Sequence, residues 1–128
     1  MRKLIVAEFI SLDGVIQAPG NADEDRDGGF DQGGWTHAYW HDEIGAHFFE
    51  AFSQAGALLL GRKTWQGHGA AFDPMPAGDP FGDAMNGIPK YVVSNTLTST
   101  SAWRNSNLIN GNVVEQVRKL RSSLGKIF

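Results

Sequence analysis

Apolar residues in this chain fall into short runs and two helical stripes, separated by polar stretches rich in glycine. Residues 3–10 (KLIVAEFI) are mostly apolar and partly β-branched, too few for a helix, and they run into the turn-forming Ser11-Leu12-Asp13-Gly14. That is the pattern of a buried strand opening into a loop. Residues 20–34 are polar, acidic and glycine-rich without periodicity, the composition of an exposed and mobile loop. Ile44, Phe48 and Phe52 then step by four with Phe49 beside them, and Asp42 is available as a cap, so a helix is expected over 42–54. Gly56 ends it, and the run ALLL at 57–60 forms a second short buried strand.

Gly61-Arg62-Lys63-Thr64-Trp65 turns that strand into a short helix. Residues 67–89 hold many glycines and prolines and read as a loop, interrupted by a small helix with Asp79 as cap and Pro80 as first residue, ending near Gly87. Residues 90–94 form a third strand and 107–109 a shorter one. Over 112–124 the signals of a helix agree: Asn112 can cap, Glu115 favours the first turn, and Val113, Val114, Val117, Leu120 and Leu124 make an apolar stripe that Gly125 stops. Lys126-Ile127-Phe128 begins another strand. Strands alternating with helices imply a three-layer α/β/α arrangement around a mostly parallel sheet, in which ligands lie beyond the carboxyl ends of the strands. The loops after the first three strands are therefore where chemistry is expected.

Composition narrows the function classes. A chain of 128 residues has room for one core and a single domain, and 41% hydrophobic with 20% charged residues is the make-up of a globular protein. A net charge of −3 and the lack of any Lys/Arg run give no footprint for a nucleic-acid backbone or an anionic membrane. The opening MRKLIVAEFISL has a leader's basic start, but Glu8 interrupts its apolar run and nothing approaches the ~20 apolar residues of a membrane span. Cysteine is absent, which excludes disulfides and thiolate zinc sites and fits a reducing cytoplasm, the expected location.

Several clusters could carry chemistry. Gly61-Arg62-Lys63-Thr64 sits at a strand-to-helix turn, where backbone N–H groups and two cations can hold a phosphate; a glycine turn with two solvated bases is the plainer alternative. Ser94-Asn95-Thr96 ends a strand with three small polar side chains, suited to phosphate oxygens or to a simple turn. Asp23-Glu24-Asp25-Arg26-Asp27-Gly28 mimics the start of a calcium loop, but the twelfth place is Gly34 and no helix precedes it. His37 and His41 lack the pattern of a zinc helix, so no metal is expected. Trp35, Tyr39 and Trp40 either line a pocket for a flat heterocycle or cap the core.

Five pieces in order carry a resemblance: the first strand into Ser11-Leu12-Asp13-Gly14-Val15-Ile16; Gly33-Gly34-Trp35; Leu59-Leu60-Gly61-Arg62-Lys63-Thr64-Trp65; Ile88-Pro89-Lys90-Tyr91-Val92-Val93-Ser94; and Trp103-Arg104-Asn105-Ser106. Together they resemble the RibD carboxy-terminal domains, which are dihydrofolate-reductase-like, along essentially the whole chain. The resemblance implies NADPH as cofactor and hydride transfer to a heterocycle such as 5-amino-6-(5-phosphoribosylamino)uracil of riboflavin synthesis. It implies that Ala7, Val15 and Ile16 cover the nicotinamide, that Gly61, Arg62, Lys63 and Thr64 take the phosphates, and that Ser94 and Asn95 add to them. Trp35 and Phe49 are the candidate substrate pocket, and Asp13 and Glu43 the candidate catalytic carboxylates. Dihydrofolate reductases bind the pterin through a carboxylate in the first helix; counting back from Gly61 without gaps reaches Gly45, whereas a short gap brings in Glu43. The family also continues past this point with a further glycine-rich phosphate turn and closing strands, so the resemblance implies a domain incomplete at its carboxyl end. From that follow a homodimeric assembly and a rival reading, a non-catalytic or partner-completed fragment.

Overall fold

The computed structural model describes residues 3–123 and the strand residues 126–127. Its helices are α1 (Asp42–Ser53), α2 (Arg62–Phe72), α3 (Pro80–Gly87) and α4 (Val113–Ser123), and its strands β1 (Ala55–Gly61), β2 (Lys90–Val93), β3 (Ser106–Ile109) and β4 (Lys126–Ile127). The strands form one sheet in the order β3-β2-β1-β4, with every neighbouring pair parallel. The chain gathers into two compact units: one holds the described residues up to Ile5 and from Phe49 onward, the other Val6–Phe48.

In the sheet-bearing unit the register decides which side chains share a face, because successive residues of a strand point to opposite sides. Leu58 pairs with Lys90 and Lys90 with Ser106, while Leu60 pairs with Val92 and Val92 with Leu108. These side chains meet α2 and α3 in a core of Leu58, Trp65, Met85, Ile88, Val92 and Trp103, with Phe52, Phe72 and Phe81 packed around it. Rings run across this layer from Phe49 to Phe81 (6.3 Å between centroids), Phe72 (5.3 Å) and Trp103 (6.3 Å). The opposite face carries Tyr91, Asn107 and Ile109, and there α4 borders the sheet across a groove of about 340 Å³ lined also by Asn112, Glu115 and Lys119. Helices therefore flank both faces, as the alternating pattern implies.

A buried cation lies at the centre of this core. Lys90 has no exposed surface; its Nζ donates to the carbonyls of Met85 (2.8 Å) and Asn86 (3.1 Å) and sits 4.4 Å from the centre of the Trp103 ring. Those carbonyls belong to the last turn of α3, whose C-terminal oxygens lack helical partners and favour a positive charge. Burial pushes the Lys90 ammonium down to about 8; the Asp73 carboxylate opposes that shift and the Arg104 guanidinium adds to it. Asn86 extends the network: its Oδ1 accepts from Trp103 Nε1 (2.7 Å) and its Nδ2 donates to the Phe72 carbonyl (2.8 Å).

The starts of α3 and α4 follow the chain's own signals. Asp79 Oδ1 accepts the Gly82 N–H at 2.7 Å ahead of Pro80, and Asn112 Oδ1 accepts the Glu115 N–H at 3.1 Å. At α1 the expectation needs correcting: Asp42 is its first residue rather than its cap, and the Glu43 N–H donates to His41 Nδ1 (3.3 Å). Gly56, expected to end that helix, lies inside β1. The helix after β1 is longer than expected, because Gly67 and Gly69 do not break it. A Cβ at Gly69 meets Trp103 Cβ at 3.0 Å, so the glycine is there to admit the indole. In the stripe of α4, Val114 points to solvent at 60% exposure, and Leu124 lies outside the described residues along with Gly125 and Phe128.

The largest correction concerns residues 3–10. Only Leu4 makes a bridge, no strand is formed there, and Leu4, Val6 and Ile10 are exposed rather than buried. A strand exists only by pairing its backbone groups with a neighbour, and among the described residues the sheet offers this segment no ladder. In the Val6–Phe48 unit the acidic loop is exposed as expected yet tied internally. Gln17 Nε2 donates to the carbonyls of Asp25 (3.3 Å) and Asp27 (3.0 Å), Trp35 Nε1 donates to the Gln17 carbonyl (2.9 Å), and His37 Nε2 lies 2.7 Å from the Gly20 carbonyl. Gly33 is obligatory in this knot, since a Cβ there lies 2.6 Å from the carbonyl oxygens of both Asn21 and Ala22.

Candidate functional site at the carboxyl edge of the sheet

Gly61 pairs with Val93 and Val93 with Ile109, so three chain segments leave the sheet side by side: Gly61 into α2, Ser94-Asn95 after β2, and Asn110-Gly111-Asn112 before α4. The phosphate-holding turn and the strand end inferred from sequence thus share one edge. The Ser94 N–H also donates to the Ile109 carbonyl (3.1 Å), tying the second segment to the third.

The first turn of α2 breaks a rule of helix electrostatics. Helix N-termini favour anions, yet α2 opens with Arg62 and Lys63, carries no acid in its first turn, and receives no side-chain acceptor from its cap Gly61. Two cations stacked on the positive end of a helix suit an external anion, which would accept from the backbone N–H groups and pair with the side chains together. Gly61 is exposed, with nothing within 4 Å of where a Cβ would stand, so a ligand can approach the backbone there. Arg62 Nη1 donates to Gln66 Oε1 (2.9 Å), which directs the guanidinium along the helix. Thr64 is exposed, and its carbonyl lies 2.9 Å from His68 Nδ1.

Ser94 is buried, and its Oγ accepts the N–H groups of Thr96 and Leu97, each at 3.1 Å. It shapes the turn, while Asn95 stands exposed beside it. The edge contributes a third polar segment that inspection of the sequence did not single out. The signal lies in Asn110-Gly111-Asn112, whose Asn112 also caps α4. Tyr91, Asn107 and Asn112 carry the groove on the α4 face up toward this edge.

Residues 2–122 match the RibD C-terminal domain. The chain belongs to that family. Its α/β fold, with a parallel sheet and helices on both faces, is of the dihydrofolate-reductase-like kind that the family implies. No curated protein matches the chain.

The other residues inferred from the RibD C-terminal resemblance lie in the Val6–Phe48 unit, apart from Phe49. Ala7 and Ile16 are exposed and Val15 is half-buried; the Val15 backbone is held by Ser11, whose Oγ accepts the Val15 N–H (2.8 Å) and whose N–H donates to the Val15 carbonyl (2.9 Å). Ser11 Oγ also donates to Asp13 Oδ1 (2.5 Å), and this bond, with a backbone contribution, holds the Asp13 carboxyl below its ordinary value. A carboxylate whose ionised form is stabilised in this way neither supplies a proton near neutral pH nor takes one up readily, and what it offers is a fixed negative charge. Glu43 is exposed on the first turn of α1, Trp35 is half-buried against the loop it ties, and Phe49 rests on Phe81. In the acidic segment, Glu24 Oε2 accepts the N–H groups of Gly20 (2.7 Å) and Asn21 (3.2 Å), and Asp23 pairs with Arg26. Among the described residues no three His, Asp or Glu side chains converge as a metal site would require, and no helix is long and apolar enough to cross a membrane.

Proposed function

We propose that this RibD C-terminal domain is an NADPH-dependent reductase acting on a small heterocyclic or ribosylamino-pyrimidine substrate. The observation that carries the reading is the pair of cations on the uncapped start of α2, at the same sheet edge as Ser94 and Asn95. Arg62 and Lys63 would offer their cations to the extra phosphate that distinguishes NADPH from NADH, Gly61 would let the cofactor's phosphates reach the backbone, and Thr64, Ser94 and Asn95 would bond the remaining oxygens. NADPH, when bound, supplies the hydride. The chain's part is to hold and orient. Ala7, Val15 and Ile16 are assigned to the nicotinamide, Trp35 and Phe49 to the substrate ring. The ionised Asp13 is assigned to electrostatic support and Glu43 to proton delivery.

The test is fluorescence titration with NADPH and NADH. A charge-assisted contact contributes about 1.5–3 kcal/mol, so Arg62→Ala should weaken NADPH binding by roughly tenfold or more and move NADH binding much less. Equal affinity for the two dinucleotides, or an Arg62→Ala variant with an unchanged ratio, overturns the reading. A second reading, a non-catalytic, cofactor-free domain that pairs with another copy of the chain, is favoured by the exposure of Val6 (86%), Ile10 (65%) and Leu12. It expects a dimer in light scattering and no binding of either dinucleotide.

A further inference from the structure

The chain contains two Asn-Gly pairs, Asn86-Gly87 and Asn110-Gly111. An asparagine followed by glycine is prone to attack on its side-chain amide by the next backbone nitrogen, because no Cβ shields that nitrogen. The fold treats the two pairs in opposite ways. Asn86 is buried in α3, with Oδ1 bound by Trp103 Nε1 at 2.7 Å and Nδ2 bound to the Phe72 carbonyl at 2.8 Å. Its carboxamide is fixed, and helical backbone follows it. Asn110 is exposed just past β3, and its side chain makes no hydrogen bond among the described residues; only its carbonyl is engaged, by Gln116 Nε2 at 2.9 Å. Gly111 has a φ of 87° and open space where a Cβ would stand, so the attacking nitrogen is unobstructed.

We propose that Asn110-Gly111 is a site of spontaneous deamidation, a covalent modification of the turn between β3 and α4. The Gly111 nitrogen gives its proton to hydroxide and attacks Asn110 Cγ. The N–Cγ bond forms, the Cγ–Nδ2 bond breaks, and ammonia leaves after taking a proton from water. Water then opens the succinimide ring at either carbonyl, leaving aspartate or isoaspartate. One water is consumed and one ammonia released, with no oxidant or cofactor. The product adds a negative charge to the carboxyl edge, next to the segment that Ser94 joins through the Ile109 carbonyl. On the reductase reading, that charge repels a bound phosphate, so the modification lowers dinucleotide affinity as the protein ages.

The experiment is to hold the purified full chain in mildly alkaline buffer and follow the tryptic peptide from Asn105 to Arg118 by fragmentation mass spectrometry, with enzymatic methylation to detect isoaspartate. Asn110 should gain one mass unit with time, with isoaspartate in excess, while Asn86 stays unchanged. Asn110→Gln should abolish the gain without disturbing Gly111, and in urea the two Asn-Gly pairs should react alike. An Asn110 no faster than Asn86 in the folded chain, or a difference between the pairs that persists in urea, overturns the proposal. The mass readout does not depend on any ligand. A deamidating chain that never binds NADPH therefore refutes the reductase reading alone.

Discussion

Replacing Lys90 by methionine keeps the length and apolar stem of the side chain and removes its charge, which makes two opposing contributions separable. Against the substitution stand the carbonyl of Met85, which loses its donor, and that of Asn86, which keeps only Asn105 Nδ2; a buried polar group left unpaired costs about 1–3 kcal/mol. In its favour stands the end of the burial penalty. The ammonium is pushed from its ordinary 10.5 to about 8, a difference of about 2.5 units that corresponds to about 3 kcal/mol. The two nearly cancel near neutral pH, so the stability of the variant there says little.

The dependence on pH separates them. With the folded value depressed, the unfolded chain holds the Lys90 proton between about 8 and 10.5 while the folded chain has released it. Stability therefore rises with pH across that window, is fully present above 10.5, and is lost as pH falls through 8. Urea unfolding followed by tryptophan fluorescence at several pH values should show the native chain gaining up to about 3 kcal/mol on Lys90→Met across the window. Titration of other groups cancels in that difference. A difference that stays flat or falls with rising pH means the hydrogen bonds and the Trp103 face compensate the buried charge, and the reasoning from burial fails.

Two further substitutions test the packing. Gly69→Ala should lower stability, since crowding against Trp103 at 3.0 Å costs roughly 1–3 kcal/mol while alanine gains at most about 1 kcal/mol over glycine in a helix; a higher melting temperature would contradict this. Asp79→Ala should lose about 0.5–2 kcal/mol by removing the cap on Gly82, whereas Asp79→Asn should lose much less, and equal melting temperatures for the two variants would count against the cap.

What was legible in the sequence was local. Asp79-Pro80 and Asn112 begin helices because capping depends on two or three neighbouring residues. The register that brings Gly61 beside Val93 follows from parallel pairing of short apolar runs. What was not legible depends on distant partners. KLIVAEFI has the pattern of a strand, but a pattern supplies no ladder, and its apolar side chains stand exposed. Gly67 and Gly69 looked like breakers because propensity is a weak prior, and an indole contributed from residue 103 reverses it. The burial of Lys90 carries no mark in the sequence, because it depends on α3 folding over the side chain to supply the Met85 and Asn86 carbonyls and on the ring of Trp103.

The residues that mark the family in this chain serve two purposes, and the structure separates them. Trp65 Nε1 donates to Ser106 Oγ (2.8 Å), Lys90 lies on the ring of Trp103, Arg104 Nε donates to Asp73 Oδ1 (2.9 Å), and Asn105 Nδ2 donates to the Asn86 carbonyl (2.7 Å). These four pairs join segments from three of the five motifs to one another, to α3 and to the end of α2, which is the work of a core. Gly33 likewise serves its own loop. Of the same motifs, Arg62 and Lys63 are the ones placed against the electrostatics of their own helix, two cations at its positive end beside Gly61 and Thr64. Residues that stabilise the fold explain themselves through their contacts. The proposed cofactor site draws on the residues that fold stability does not explain, which is why it is placed at the turn into α2 rather than at the tryptophan and lysine positions that pack the core.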